Sequence, residues 1–147
     1  MHDTTTRRDL LRGAAVWGIL IAVVFVTRTA LDWFAPPLDF HLRSAVSTFI
    51  GIGTLLTVGF WGSTRSGSLL AGSVAGVAAS ATAAIISLVC VAVLLAIWHD
   101  EQTLAAIRWS GGLGEVFELP VLMIVPGAVL GTVGGAVGAA IKTLRAA

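Results

Sequence analysis

The chain has no tyrosine, a single cysteine and few charges, with 12% of its residues Asp, Glu, Lys or Arg. Cys90 stands alone, which excludes an intramolecular disulfide and any cysteine-based zinc site. The charged fraction is about half the ~25% usual for a soluble domain, and the charges sit in short segments between long apolar runs. No Asp, Glu, Lys, Arg or His stands in the middle of any of those runs. Proton-coupled pumps, ion-coupled carriers and intramembrane hydrolases need ionisable groups at membrane depth, so this absence points away from an enzyme and from a secondary transporter. It also separates the chain from small-multidrug-type exporters, which share the pattern of four short spans.

What is present is apolar and small. Hydrophobic residues make up 56% of the chain, mean hydropathy is +0.94, and there are seventeen glycines. The organising stretch is Pro120–Ile141, PVLMIVPGAVLGTVGGAVGAAI, uncharged and long enough for a hydrocarbon core of about 30 Å. Gly127, Gly131 and Gly135 recur every four residues, with a second register at Gly134 and Gly138. Small residues at that spacing let membrane helices approach backbone to backbone. Two more such faces occur, Ala14/Gly18/Ala22 and Gly72/Gly76/Ser80. Pro126 removes the bond to the Leu122 carbonyl and predicts a kink ahead of the glycine ladder.

The remaining spans follow from the same pattern. Span 1 is placed at residues 10–31, span 2 at 45–61, span 3 at 69–98 and span 4 at 120–141, in one membrane domain covering 1–147. Arg28 and Asp32 are four apart at the far end of span 1, on one helix face, where they can pair while Arg28 snorkels toward the headgroups. Trp33 and Phe34 follow as interface aromatics, and Pro36-Pro37 ends the helix. Leu38–Ser44 alternates apolar and polar residues and reads as an interfacial segment, and Gly62–Ser68 as a tight turn. Between spans 3 and 4, Glu101–Trp109 reads as a short interfacial helix with Leu104, Ile107 and Trp109 toward lipid. Gly111, Gly112 and Gly114 break it, and Pro120 suits the first turn of span 4. The fold class expected is therefore all-α, a polytopic four-transmembrane-helix bundle running up-down-up-down.

Charge sets the orientation. Arg7, Arg8, Arg12, Arg65, Lys142 and Arg145 share one side with only Asp3 and Asp9. Arg28, Arg43 and Arg108 share the other with Asp32, Asp39, Asp100, Glu101, Glu115 and Glu118. The positive-inside rule makes the first side cytoplasmic, with both termini inside. Alanine, glycine and arginine usage suggests a bacterial-type inner (cytoplasmic) membrane. The run Thr6–Arg12, with the apolar run behind it, resembles a twin-arginine export signal. No small-residue cleavage site follows Val26, so the arginines are read as a topology signal.

No catalytic or cofactor-binding residue is assigned. Asp39, His41, His99, Asp100, Glu101, Glu115 and Glu118 form a loose outer set of potential ligands. They lack metal-ligand spacing and read as a solvated acidic surface, so no metal is expected. Cys90, in an apolar run without a basic neighbour, reads as an inert packing residue. The residues singled out are Ala14, Gly18, Ala22, Gly72, Gly76, Ser80, Gly127, Gly131 and Gly135 for helix packing, and Pro126 for the kink. The first functional expectation is a non-enzymatic structural or accessory membrane component. The alternative is an oligomeric channel or transporter-like protein passing a small solute along Ser47, Thr54, Thr57, Ser80, Thr82 and Ser87. Expected partners are the lipid bilayer and, second, a homo-oligomer or other membrane proteins; no nucleic acid is expected.

Overall fold

The structure, a computed structural model, describes residues 3–109 and 112–146. It is all-α: α1 Asp3–Phe34, α2 Phe40–Ser66, α3 Leu69–Ile97, α4 Glu101–Trp109, α5 Gly112–Leu122 and α6 Ile124–Ala146. Four stretches are long and apolar enough to cross a membrane: Arg7–Phe34, Phe40–Ser66, Leu69–Ile97 and Pro120–Leu144. They form a four-helix bundle. α3 is its hub and packs on α1, α2 and α6; α6 also packs along α2, while α1 and α2 meet more lightly.

The helices are longer than the apolar runs that mark them, because local caps rather than hydropathy decide where they stop. Leu38–Ser44 is not an interfacial segment: α2 starts at Phe40, where the Asp39 carboxylate accepts from the His41 N–H at 2.8 Å. Gly62–Ser68 is not a turn throughout: α2 runs to Ser66, and the reversal is made at Gly67, whose φ of 73° is the left-handed value a glycine adopts without strain. Gly62 lies inside the helix, where a Cβ would stand 2.9 Å from the Ala71 carbonyl oxygen.

The segment before span 4 also differs. Helix α4 ends at Trp109, as expected, and a new helix opens at Gly112, whose φ of 82° is left-handed; Gly114 lies within α5, and Pro120 falls near the end of α5 rather than in a first turn. The interruption is at Met123. Pro126 sits in the first turn of α6, where its missing N–H leaves no bond unmade. The first bond across the break runs from the Gly127 N–H to the Met123 carbonyl, 2.9 Å. Gly111 and the side chain of Glu115 lie outside the described residues.

The small-residue faces meet one another. A Cβ on Gly72 would stand 2.7 Å from the Gly135 Cα and 2.8 Å from the Gly131 carbonyl oxygen. One on Gly76 would stand 2.9 Å from the Gly131 Cα and run into the Gly127 carbonyl. One on Gly127 would strike the Ser80 side chain. Gly59 of α2 joins this contact against the Gly131 backbone, and Gly134 and Gly138 seat α6 on Leu56, Phe60 and Ser63. The third face, Ala14/Gly18/Ala22, is buried against α3, where a Gly18 Cβ would stand 2.7 Å from the Thr82 Cβ. Apolar helices gain nothing from hiding apolar surface among lipid tails, so backbone proximity of this kind is the main source of cohesion.

These contacts make a graded prediction. Gly76→Leu and Gly131→Leu force α3 and α6 apart and destabilise the fold by about 1–3 kcal/mol or more. Gly53 has nothing within 4 Å of a Cβ. Gly53→Ala is therefore expected to be neutral or stabilising by up to ~1 kcal/mol through helix propensity. Melting temperatures of the three variants in one detergent provide the check.

Candidate functional site

The charged residues that matter lie at the α1–α2 corner. Asp32, in the last turn of α1, is 3% exposed. Its Oδ2 accepts from Arg28 Nε and its Oδ1 from Arg43 Nη1, each at 3.3 Å. The Arg28 pair has the helical spacing visible in the sequence. The Arg43 pair crosses between helices, because the Pro36-Pro37 reversal returns α2 alongside α1. Arg43 Nη1 also donates to the carbonyls of Leu31 at 3.0 Å and Ala35 at 2.9 Å. The Leu31 carbonyl also accepts from the Ala35 N–H at 2.9 Å, and the guanidinium joins it in closing the end of α1 while pairing with the buried carboxylate. The sequence reading assigned no role to Arg43; its signal is a basic residue just beyond a Pro-Pro corner, at the reach of the preceding C-terminus.

The cluster heads a cavity of about 60 Å³ that descends between α1 and α3. Its walls include Thr29 and Asp32 above, Ser80 and Ser87 along α3, and Leu55 below. This holds a few water molecules, not an organic substrate, whose sites run to about 300–1,000 Å³. Of the six hydroxyl residues considered for a solute path, only Ser80 and Ser87 line it. The Ser80 hydroxyl donates to the Gly76 carbonyl at 2.9 Å, and Thr54, Thr57 and Thr82 bond the carbonyl four residues back at 2.7–2.8 Å. Their donors are thus spent inside their own helices.

A wider lateral groove of about 580 Å³ lies between α1 and α6, over α2. Arg28, Phe25 and Met123 border both spaces.

The end of the bundle at the α1–α2 corner is covered by α4, which corrects the expected lipid-facing helix. Ile107 is 1% exposed and packs with Trp33 and Val91, with Leu104 against them; Trp109 alone of the expected three is well exposed. The apolar side of α4 finds side chains of α1 and α3 to bury against, so it turns inward. Trp33 is accordingly a core residue rather than a belt aromatic, while half-exposed Phe34 meets Trp98 edge-to-face at 5.1 Å. Asp100 caps α4, accepting from the Thr103 N–H at 2.9 Å and the Thr103 hydroxyl at 3.0 Å. These bonds, the backbone one first, hold its carboxyl below the ordinary value of 3.8.

Among the described residues no three His, Cys, Asp or Glu side chains gather in a metal-holding group. Cys90 is half-buried on α3, and His41 and His99 are exposed. The packing residues Ala14, Gly18, Ala22, Gly72, Gly76, Ser80, Gly127, Gly131 and Gly135 all fall between helices of the one chain, and Pro126 lines the lateral groove. The chain matches no protein-family model, no curated protein and no solved structure. Its functional reading therefore depends on geometry.

Two predictions follow from the carboxylates. Asp32→Asn leaves two arginines without their counter-charge and destabilises the fold by about 1–3 kcal/mol. Adding Arg43→Gln then costs less than the sum of the single effects, which a double-mutant cycle by thermal melting measures. For Asp100, the folded state holds the lower pKa. Its contribution to α4 is therefore present above pH 3.8 and lost as pH falls through the lowered value. Amide exchange at Thr103 and Leu104, corrected for intrinsic rate, is expected to rise in that acid range and to be pH-insensitive in Asp100→Asn.

Proposed function

We propose that this chain is a non-enzymatic component of a bacterial-type inner membrane, a self-packed four-span unit with both termini cytoplasmic. The observation that carries the reading is that all three small-residue faces are consumed within a single chain. None of these three faces is left over to drive a glycine-mediated oligomer. Asp32, the one buried carboxylate among the described residues, is occupied by two guanidinium groups, which favours a structural pairing over proton transfer. Orientation is supported by the basic side, where Arg65 also stacks 4.9 Å over the Trp61 ring and so anchors the α2 end at the interface.

The channel or transporter-like reading has one observation in its favour, the outward cavity that reaches Ser80. Against it, the path below Leu55 and Ser80 runs into the backbones of Gly59, Gly72, Gly76 and Gly131, which leave no lumen within one chain. A passage would need several copies around a shared axis.

Mass measurement in mild detergent separates the readings. The expected species is a monomer of 15.1 kDa plus bound detergent, and a defined ring of copies would favour passage. A reporter fused after Ala147 is expected in the cytoplasm, and one inserted after Pro37 on the opposite side. Both on the same side would overturn the topology.

A further inference from the structure

We propose that the lateral groove between α1 and α6 is a binding site for one anionic glycerophospholipid, with an acyl chain in the groove and the phosphate on Arg28. This deepens the membrane reading and rests on it. The groove holds about 580 Å³, within the ~300–1,000 Å³ of sites built for small molecules. Its body is apolar, walled by Phe25, Ile52, Met123, Val129 and Leu130. Its polar lining is confined to Arg28, Ser44 and Thr48, on the α1–α2 corner side. A long apolar trough with polar groups at one end is the shape of an amphiphile lying along the bilayer normal.

Charge selects the sign of the head. Arg28 and Arg43 share one carboxylate, Asp32, so the cluster keeps one positive charge in excess. Arg28 engages Asp32 through Nε, and its two terminal nitrogens make no hydrogen bond among the described residues. The side-chain hydroxyls of Ser44 and Thr48 are likewise uncommitted there. A guanidinium edge with two adjacent hydroxyls suits phosphate oxygens. Among the described residues no acidic side chain lines the groove; Asp39 and Asp100, each capping a helix, and the exposed Glu101 and Glu118 lie elsewhere on the same side. A guanidinium at the edge of a recess between transmembrane helices pairs with an anionic headgroup by charge-assisted hydrogen bonds. A choline head carries a cation that offsets the phosphate, so phosphatidylglycerol is favoured over phosphatidylcholine.

The magnitude is modest. One basic side chain near a membrane surface discriminates by about fivefold between anionic and neutral lipid. The test is native mass spectrometry of the full chain purified in a non-ionic detergent. It is titrated with phosphatidylglycerol or phosphatidylcholine of identical chains, and with inorganic phosphate alone. For the natural sequence and for Arg65→Gln, at the opposite end, the first phosphatidylglycerol is expected to bind about fivefold tighter than phosphatidylcholine. Arg28→Gln is expected to lose the preference and keep phosphatidylcholine binding. Val129→Trp fills the groove from an exposed position and is expected to lose first-lipid binding of both kinds. Equal affinity for the two lipids, a preference that survives Arg28→Gln, or unchanged binding in Val129→Trp would overturn the site. So would inorganic phosphate that competes fully with the lipid at equal concentration, because it would show that the groove contributes nothing. A chain that stays in solution without detergent would instead overturn the membrane reading beneath it.

Discussion

The structure depends on backbone contact between α3 and α6. Gly72 and Gly76 meet Gly127 and Gly131 with no room for a Cβ on either side, Gly135 fits tightly beside them, and Gly59 brings α2 into the same place. In a bilayer, where burying apolar surface is not a driving force, that proximity supplies the dispersion contacts of the bundle. It also determines the positions of the other helices. α6 lies against α2 through Gly134 and Gly138, and α3, held on that side by its glycines, presents Ala75, Ala79 and Thr82 to α2 and α1. The hub helix can touch three neighbours because its first half carries almost no side-chain bulk.

The same constraint divides the molecule along its length. Where the glycines meet, the interior is closed. Beyond Ser80 the α3 sequence turns bulky, α6 gives way at Met123 to α5, and the bundle opens into a small cavity and a lateral groove. This open half is held by different means. Asp32 ties Arg28 to Arg43, Arg43 caps α1, and the Trp33–Val91–Ile107 cluster seats α4 across the top. A tightly packed half and a half held by polar and aromatic contacts thus share one set of helices. Among the described residues, the cavity and the groove both lie in the second.

Consequences for function follow from that division. A continuous pore needs an interior open at both ends, and the glycine contact denies it to one chain. Asp32 is held by two arginines. The described residues form a membrane-type helical body with an apolar recess on its flank, bordered by Arg28.

How much of this is legible in the sequence differs by feature. The pairing of the Gly72/Gly76/Ser80 face with the Gly127/Gly131/Gly135 ladder is readable, because two small-residue rows toward the same side of antiparallel neighbouring helices have few other ways to be buried. The Arg28–Asp32 pair is readable from its spacing. Arg43 is not, because its role arises from a second helix arriving beside the first, which no local pattern encodes. Nor is the inward turn of α4. Its apolar side can satisfy lipid or protein equally well, and only the presence of Trp33 and Val91 beneath it decides. Helix ends were displaced for a related reason: hydropathy marks where a chain prefers lipid, whereas Asp39, Gly67 and Pro126 mark where its backbone bonds change partners. By itself, then, the sequence determined an all-α, four-span chain and the faces along which backbones come close, since both follow from periodicity and from the absence of side chains. Only the tertiary structure decided which charges meet, which aromatics are buried and where a recess remains, since those depend on groups distant in sequence arriving at one place.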